Sequence, residues 1–307
     1  PPSPAVPPSP AFAPSPLERA LAAEYDARPE LADRWLLAQT LATSASRRQL
    51  AAELATALSE EGPAARRAPG ARRILDVGTG FGALPLELAL GSQVEAFGVD
   101  SSPAALEVAL SAQRRLETAG ALAAGSTVRW HLGDAGRLPF PDASFDLACA
   151  QLVFQHLADR AAAAAEMARV LRPGGQAWIL DVDDGMSVSW PEPSAAETAL
   201  REALALTQAV AGGDRRVGRK LAACLEAAGF EVVSVEVRSQ AGFGVEPALS
   251  RAFTLERFRR ARAAVLRHGT LGAGRYDSLL EAFAAEPLAS QLAVSTQVLA
   301  VGRRAAT

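Results

Sequence analysis

The stretch RILDVGTGFG, residues Arg73–Gly82, decides the fold class of this chain. An aliphatic run ends in an acid and is followed by glycines at positions 78, 80 and 82. This pattern is typical of a buried strand, a tight turn and a helix start, because glycine adopts positive φ and lets a ligand approach the backbone. The N–H groups of the following helix point at such a ligand. The sequence therefore predicts a loop that binds a nucleotide-like cofactor.

Strand and helix patterns alternate downstream of this loop. Strands are predicted at 73–77, 94–99, 127–132, 146–150 and 176–182, and helices from 83, at 103–119 and at 160–170. Such alternation indicates an α/β fold with a parallel sheet covered by helices on both faces. Sheets of this kind bind ligands beyond the carboxyl ends of their strands, where Gly78, Asp100, Asp134 and Gln151 fall.

The rest of the chain predicts helical additions to one catalytic domain. Residues 1–16 are rich in proline, and we expect a disordered tail there. Residues 17–69 begin with helical spacing of leucines and are expected to form a helical cap. The catalytic domain is expected over 70–307, with insertions at about 184–217 and 240–290 that enclose an acceptor substrate.

Composition excludes several classes of protein. The chain has 307 residues, 49% of them hydrophobic, a net charge of −3, no asparagine and a single lysine among 31 basic residues. It has no polybasic footprint for nucleic acid, no metal-ligand spacing and no apolar run long enough to span a membrane. Cys149 and Cys224 lie in apolar stretches, which favours reduced thiols. We expect a cytoplasmic protein, monomeric or homodimeric, and a GC-rich coding bias as in some bacteria.

The glycine loop alone leaves the cofactor open. Gly78, Gly80 and Ala83 also satisfy the G-x-G-x-x-G/A fingerprint of dinucleotide-binding folds. Asp100, at the end of the second predicted strand, could bind the ribose hydroxyls of a dinucleotide or of another cofactor that carries a ribose. A nicotinamide oxidoreductase is therefore one alternative.

Three further features resemble the class I S-adenosylmethionine-dependent methyltransferases. Asp76 completes the motif D-x-G-x-G-x-G, the segment HLGDAGRLPFPDASFDLACAQLVFQHL (131–157) looks like the block around the third and fourth strands, and RVLRPGG (169–175) resembles the turn into the fifth strand. The resemblance covers roughly residues 72–183, with a weaker match at 218–237. Within the family, the chain is similar to small-molecule methyltransferases related to the quinone-biosynthesis enzymes. It implies a doubly wound, seven-stranded, mostly parallel Rossmann-like sheet with an N-terminal helical cap and helical insertions.

The resemblance also implies a cofactor and its site. The cofactor would be S-adenosyl-L-methionine, with S-adenosyl-L-homocysteine as the product. Asp76 would help to hold its methionyl end, Asp100 its ribose hydroxyls and Asp134 its adenine. The other residues predicted to bind the cofactor are Tyr25, Gly78, Thr79, Gly80, Gly82, Ser101, Ala135 and Gln151.

Methyl transfer from a sulfonium is an in-line displacement, which depends mainly on alignment of the acceptor and requires a base only for some acceptors. His156, just after the fourth strand, is the candidate catalytic base, and packing at a helix start is the alternative. For the residues predicted to bind the acceptor, the alternative is a solvated loop for the polar ones and core packing for the aromatic ones. The residues predicted to bind the acceptor are Gln155, Asp181, Asp183, Trp190 and Tyr276.

These patterns favour a bacterial enzyme that methylates oxygen or nitrogen of a small molecule in natural-product biosynthesis. An RNA or protein methyltransferase is a second hypothesis. Against the nucleic-acid version, the fourth strand ends in CAQL, without the Pro-Cys or N/D-P-P-Y motifs of base-modifying enzymes. A partner that keeps the fold without turnover is a further alternative.

Overall fold

The computed structural model describes residues 14–31, 34–60, 72–243, 247–288 and 292–306. Its helices are α1 (Pro16–Ala27), α2 (Arg34–Ala42), α3 (Ser44–Glu60), α4 (Ala83–Gly91), α5 (Pro103–Thr118), α6 (Arg160–Val170), α7 (Ala195–Val210), α8 (Leu221–Ala227), α9 (Pro247–Arg267) and α10 (Ala273–Ala285). Its strands are β1 (Arg72–Val77), β2 (Val94–Asp100), β3 (Thr127–Leu132), β4 (Phe145–Gln151), β5 (Leu171–Val182), β6 (Val188–Trp190), β7 (Phe230–Phe243) and β8 (Leu292–Arg304).

One sheet runs through the molecule in the order β3-β2-β1-β4-β5-β8, with β7 along the far edge of β8. The pairs from β3 to β5 are parallel, whereas β8 is antiparallel to β5 and β7. The chain order reverses between β1 and β4, and ligands of such sheets bind at this switch point. The predicted doubly wound, mostly parallel sheet is confirmed.

The strand count differs from the expected seven. β6 has only three residues and pairs with the start of β8 beyond the end of β5. It lies in the predicted insertion, where its pattern is too short to show period-two alternation. β5 also begins earlier than expected, at Leu171, which pairs with Phe145 across a register shift.

The two faces of the sheet carry separate cores because successive strand residues point to opposite sides. Ile74 packs with α1, α3, α4 and α5, whereas its neighbour Leu75 packs with α6 and α8. Both side chains are buried, since Ile74 is 1% exposed and Leu75 is 0% exposed. The predicted helical cap thus contributes its leucines to one face of the sheet; its residues 32–33 and 61–69 lie outside the described residues.

The start of α1 shows why the chain becomes helical there. Ser15 caps the helix by accepting a hydrogen bond from the Glu18 backbone, and the Glu18 carboxylate accepts one from the Ser15 backbone. Pro16, predicted as the last residue of the tail, is the first residue of the helix, where its missing N–H costs nothing. Residues 1–13 of that predicted tail lie outside the described residues.

Helices α7, α9 and α10 form a small bundle with its own core, which we call the helical subdomain. Its core residues are Leu200, Ala203, Phe258, Val265, Tyr276, Leu279 and Phe283. The predicted insertions supply all three helices, and hydrogen bonds from α7 and the loop after it reach Gln155, which follows β4, and Asp184, which follows β5. Among the described residues, no helix has both the length and the apolar character needed to cross a membrane.

Candidate active site

The three glycines after β1 share a positive φ but have different surroundings. Their φ values are 69°, 53° and 71° at Gly78, Gly80 and Gly82. A Cβ atom on Gly78 would lie 2.5 Å from the Val153 side chain, and one on Gly82 would lie 2.3 Å from the Trp130 ring. At Gly80, no atom of the described residues comes within 4 Å of that position. The turn is therefore closed by packing at its ends and open in its middle, where a ligand can reach the backbone.

Asp100 ends β2 and anchors this turn. Its Oδ2 accepts a hydrogen bond from the Gly80 N–H at 2.7 Å, and its Oδ1 accepts one from the Ser102 N–H at 2.9 Å. An ionised carboxylate has about four lone-pair sites, so each oxygen can accept a further hydroxyl. Ser101 is exposed at the same edge, and Thr79 is buried within the turn.

Asp76 is a buried acid at the end of β1, with 5% of its surface exposed. The Cys149 thiol of β4 donates to its Oδ1 at 3.5 Å. Burial raises the pKa of Asp76 to about 7, opposed by the hydroxyl of Thr79 and by this thiol and reinforced by the charge of Asp100. A cation beside the carboxyl would favour its ionised form. The position thus fits a positively charged ligand group.

The ends of β3 and β4 bring further predicted residues to the same edge. Asp134 follows β3, is exposed, and accepts a hydrogen bond from the Gly136 N–H at 2.7 Å. Ala135 packs against the core, and Gln151 is the half-buried last residue of β4. Because neighbouring parallel strands end together, the structure brings these residues and Asp100 to one edge of the sheet.

Tyr25 lies in α1, on the face of the sheet that α5 covers. The Arg34 guanidinium carbon is 3.7 Å from the centre of its ring, and Arg34 Nε donates to the Tyr25 carbonyl at 3.0 Å. The helix is held on α5 by the buried Glu24, which accepts hydrogen bonds from Ser111 and Arg115, both at 2.7 Å. Contact of Tyr25 with a cofactor remains a prediction.

The chain turns sharply after β4. Leu152 has φ +61°, a conformation that costs a residue with a Cβ about 1–2 kcal/mol. Its N–H donates to the Leu180 carbonyl at 2.8 Å, and the next residue, Val153, covers Gly78. Backbone strain of this kind clusters at functional sites. The strained turn links the end of β4 to the glycine loop.

Gln155, predicted to bind the acceptor, is buried and has its polar groups in use. Its N–H donates to Asp181 Oδ2 at 3.0 Å, and its carbonyl accepts from the Gln208 side chain at 2.9 Å. Its side-chain oxygen accepts a hydrogen bond from Arg215. The residue therefore connects β4, β5 and the segment around α7 as a scaffold.

The two predicted aspartates after β5 are also occupied by the protein. Asp181 is fully buried, with its pKa raised to about 6 by burial, and accepts hydrogen bonds from the Gln155 and Val182 N–H groups. Asp183 forms a two-pronged pair with Arg219, at 2.6 and 2.7 Å. These contacts position loops, and they do not support the expectation that the two acids bind the acceptor.

His156 ends a short 3₁₀ turn after β4 and is solvent-accessible. Partial burial and the positive charges of Arg215 and Arg257 lower its pKa, so the ring is neutral near pH 7. The Gln208 amide nitrogen lies 3.4 Å from His156 Nδ1, and the same nitrogen donates to the Gln155 carbonyl. Because Gln208 offers a donor, the contact favours the tautomer whose proton is on Nε2. In that form the proton is on Nε2, and the role of His156 as a catalytic base stays a prediction.

The two aromatic candidates lie apart from each other. Trp190 is on β6 with 69% of its surface exposed. Tyr276 is fully buried in the helical subdomain, where its hydroxyl donates to the Phe258 carbonyl at 2.5 Å. Core packing, the alternative recognised in the sequence, accounts for Tyr276, because its hydroxyl already has an internal partner.

Comparisons with known proteins bear on the region that holds this site. Residues 75–179 match the family described as "Methyltransferase domain". A demethylmenaquinone methyltransferase from Deinococcus radiodurans is 42% identical over 111 residues, 36% of this chain and 43% of that protein. An O-methyltransferase from Pyrenophora dematioidea is 38% identical over 132 residues, 42% of this chain and 45% of that protein. Residues 75–179 therefore resemble a methyltransferase domain.

The chain spans less than half the length of these two relatives. Over most of its length the chain has a fold similar to the crystal structure of the 4+2 cyclase SpnF. That comparison has a TM-score of 0.50 and 19% identity, and covers 85% of this chain and 81% of the other. It shows the fold alone, since one fold carries several activities.

Sequence reasoning missed three residues that shape the site. Val153 closes the glycine loop, and Arg215 and Arg257 place positive charge beside His156. Arginine is so frequent in this chain that neither arginine has a distinctive local pattern. The glycine pattern predicted that a ligand approaches the backbone of this turn. It did not predict that the Val153 side chain lies against Gly78.

Proposed function

We propose that this chain transfers a methyl group from S-adenosylmethionine to a small-molecule acceptor. The observation that carries the proposal is the open backbone at Gly80 beside the doubly anchored Asp100, with the buried Asp76 behind it. This arrangement combines space, hydroxyl acceptors and a site for a cation. The matches of residues 75–179 to methyltransferases support the proposal.

The residues at the strand ends fit the cofactor chemically. Gly80 would admit the cofactor to the backbone, Asp100 would accept hydrogen bonds from its two ribose hydroxyls, and Asp76 would pair with the ammonium of its methionyl end. Asp134 would accept from the adenine. Gly78, Thr79, Gly82, Ser101, Ala135, Gln151 and Tyr25 complete the proposed cofactor site.

S-adenosylmethionine, when bound, supplies a methyl group on a positively charged sulfur, which an acceptor atom displaces in line. Alignment of this kind can lower the activation barrier by on the order of 7–11 kcal/mol. The strained turn at Leu152 and the scaffold at Gln155 hold the acceptor side of the cleft in place. His156, just after β4, is the proposed base for acceptors that must lose a proton. Methylation of oxygen or nitrogen and a place in bacterial natural-product biosynthesis belong to the same proposal.

Asp100→Ala tests the cofactor site. It removes the acceptors of two ribose hydroxyls, each worth about 1–2 kcal/mol, so affinity for S-adenosylhomocysteine should fall by roughly thirty- to a thousandfold. Isothermal calorimetry of both proteins measures the change, and thermal melting checks that the variant is folded. A folded variant with unchanged affinity contradicts the proposed site, and binding of a nicotinamide dinucleotide instead by the wild-type protein contradicts the proposed cofactor.

A further inference from the structure

Strand β7 lies at the edge of the sheet, and its outer side is open. In the described part of the chain its backbone pairs with β8 alone, and this ladder is regular from Ser234 to Phe243. The outer side therefore presents backbone N–H and C=O groups onto which another strand can add. Natural edge strands avoid such additions by short length, proline or charged side chains. β7 has 14 residues and no proline, so its charged side chains decide what can pair with it.

The side chains of β7 form an apolar face and a charged face. Val235 and Val237 lie on one face of the sheet and are 52% and 61% exposed. Glu236 and Arg238 lie on the other face, where the Arg238 guanidinium donates to Glu236 at 3.0 Å and to Glu53 of α3 at 2.6 Å. Exposed valines lose contact with water when another strand covers them, which favours association.

The order of the charges on β7 is complementary to itself. Two antiparallel copies of one strand are related by a two-fold axis, as in an isologous dimer. When the axis passes through Val237, Glu236 lies directly opposite Arg238 of the partner subunit, and opposite charges in that position attract. A shift of the axis by one residue in either direction puts Glu236 or Arg238 opposite its own copy, which is destabilising. The charges therefore favour one register of pairing.

The surroundings of β7 leave room for this contact. A cleft of about 830 Å³ lies between α3 and the charged face of β7, and Glu53, Glu236 and Arg238 line it. The Glu236 side chain is 55% exposed, so its carboxylate can accept from a second guanidinium as well as from the one in its own chain. On the opposite face, the exposure of Val235 and Val237 shows that the described helices leave this part of the strand uncovered.

We infer that two copies of this chain form a homodimer through β7, paired antiparallel around Val237, with one sheet continuous across both subunits. The inference is independent of the proposed methyl transfer. In the sheet, β4, β5 and β8 separate β7 from β1, which carries the glycine turn, so each subunit keeps its own cofactor edge.

Sedimentation velocity of the full chain tests the assembly. We expect a species of twice 31.9 kDa at micromolar concentration. Glu236→Arg places like charges opposite each other and should raise the dimer dissociation constant by roughly tenfold or more. Glu281→Arg, the same charge change at an exposed position of α10, is the control and should leave the constant unchanged. Thermal melting checks that both variants are folded.

Oxidative crosslinking tests the register. Val237→Cys places two thiols opposite each other at the axis. Val235→Cys lies on the same face, but its two thiols are four residues apart, about 13 Å along the strands. Since bridged cysteines need Cβ atoms roughly 3.5–4.5 Å apart, we expect a disulfide-linked dimer from Val237→Cys and none from Val235→Cys. The wild type, with Cys149 buried and Cys224 half-buried, gives the background.

Each outcome bears on the inference. A monomeric wild-type chain overturns it, and so does a dimer whose dissociation constant is the same in folded Glu236→Arg. Equal crosslinking of the two cysteine variants, or crosslinking through Val235→Cys alone, overturns the pairing around Val237. S-adenosylhomocysteine should bind the wild type and Glu236→Arg with equal affinity, and failure to bind the wild type counts against the proposed function without affecting the dimer.

Discussion

Ionisation of the buried Asp76 carboxyl lowers the free energy of unfolding of the protein. Its pKa rises from 3.8 to about 7, so between those values the folded state holds more protons than the unfolded state. Stability therefore decreases as pH rises through this window, and the cost is complete above pH 7. Three pKa units correspond to at most about 4 kcal/mol. Such a cost at a buried acid is expected where function requires charge.

Asp76→Asn should accordingly raise the melting temperature by several degrees at about pH 8 and leave it nearly unchanged at about pH 4. Thermal melts across this range measure the difference. The same variant should lose most of its affinity for S-adenosylmethionine, because the amide cannot neutralise the ligand ammonium. A variant less stable than wild type at the higher pH would show that the carboxylate is stabilised rather than strained.

The glycine turn offers a matched pair of substitutions. Gly80→Ala places its methyl group in open space and bears only the positive φ, about 1 kcal/mol, so the variant should fold and bind cofactor poorly. Gly82→Ala meets Trp130 at 2.3 Å and should lose about 2–4 kcal/mol of stability. Chemical denaturation and calorimetry measure the two effects. Equal destabilisation of both variants would contradict the assigned roles.

At the scale of elements, one buried acid docks α1 on α5. Glu24 is 1% exposed and accepts hydrogen bonds from Arg28, Ser111 and Arg115. Its pKa lies below the usual 4.5; burial opposes the decrease, and Arg115 is the foremost of the partners that lower it. A lowered carboxyl pKa stabilises the fold above the unfolded value, and that contribution is lost as pH falls through the folded pKa.

Glu24→Gln should therefore cost about 1–3 kcal/mol near neutral pH and progressively less below the unfolded pKa, and should speed hydrogen exchange in α1. Glu107→Gln is the control, since that carboxylate is 71% exposed and 3.9 Å from Arg28. Exposed pairs contribute little, so the control should change stability by less than about 0.5 kcal/mol. Similar losses in the two variants would refute the docking role of Glu24.

At the scale of the molecule, the sheet places residues distant in sequence around one cleft. Asp76, Asp100 and Asp134 meet because parallel strands end at one edge, and this could be predicted from alternating patterns alone. The acceptor side could not be predicted, because it depends on how α9 and the loop after α7 pack. Arg257 and Arg215 approach His156 only through that packing, and the charges of both lower its pKa.

The parallel sheet, the glycine turn and the acids at its edge follow from local patterns, because glycine conformation and hydrophobic periodicity are local properties. Packing between distant segments settles the rest: Gly80 is open while Gly78 and Gly82 are packed, and Asp181, Asp183 and Tyr276 are hydrogen-bonded within the protein. Those outcomes depend on which atoms fill the space around each side chain, and that space is formed by segments far apart in the chain.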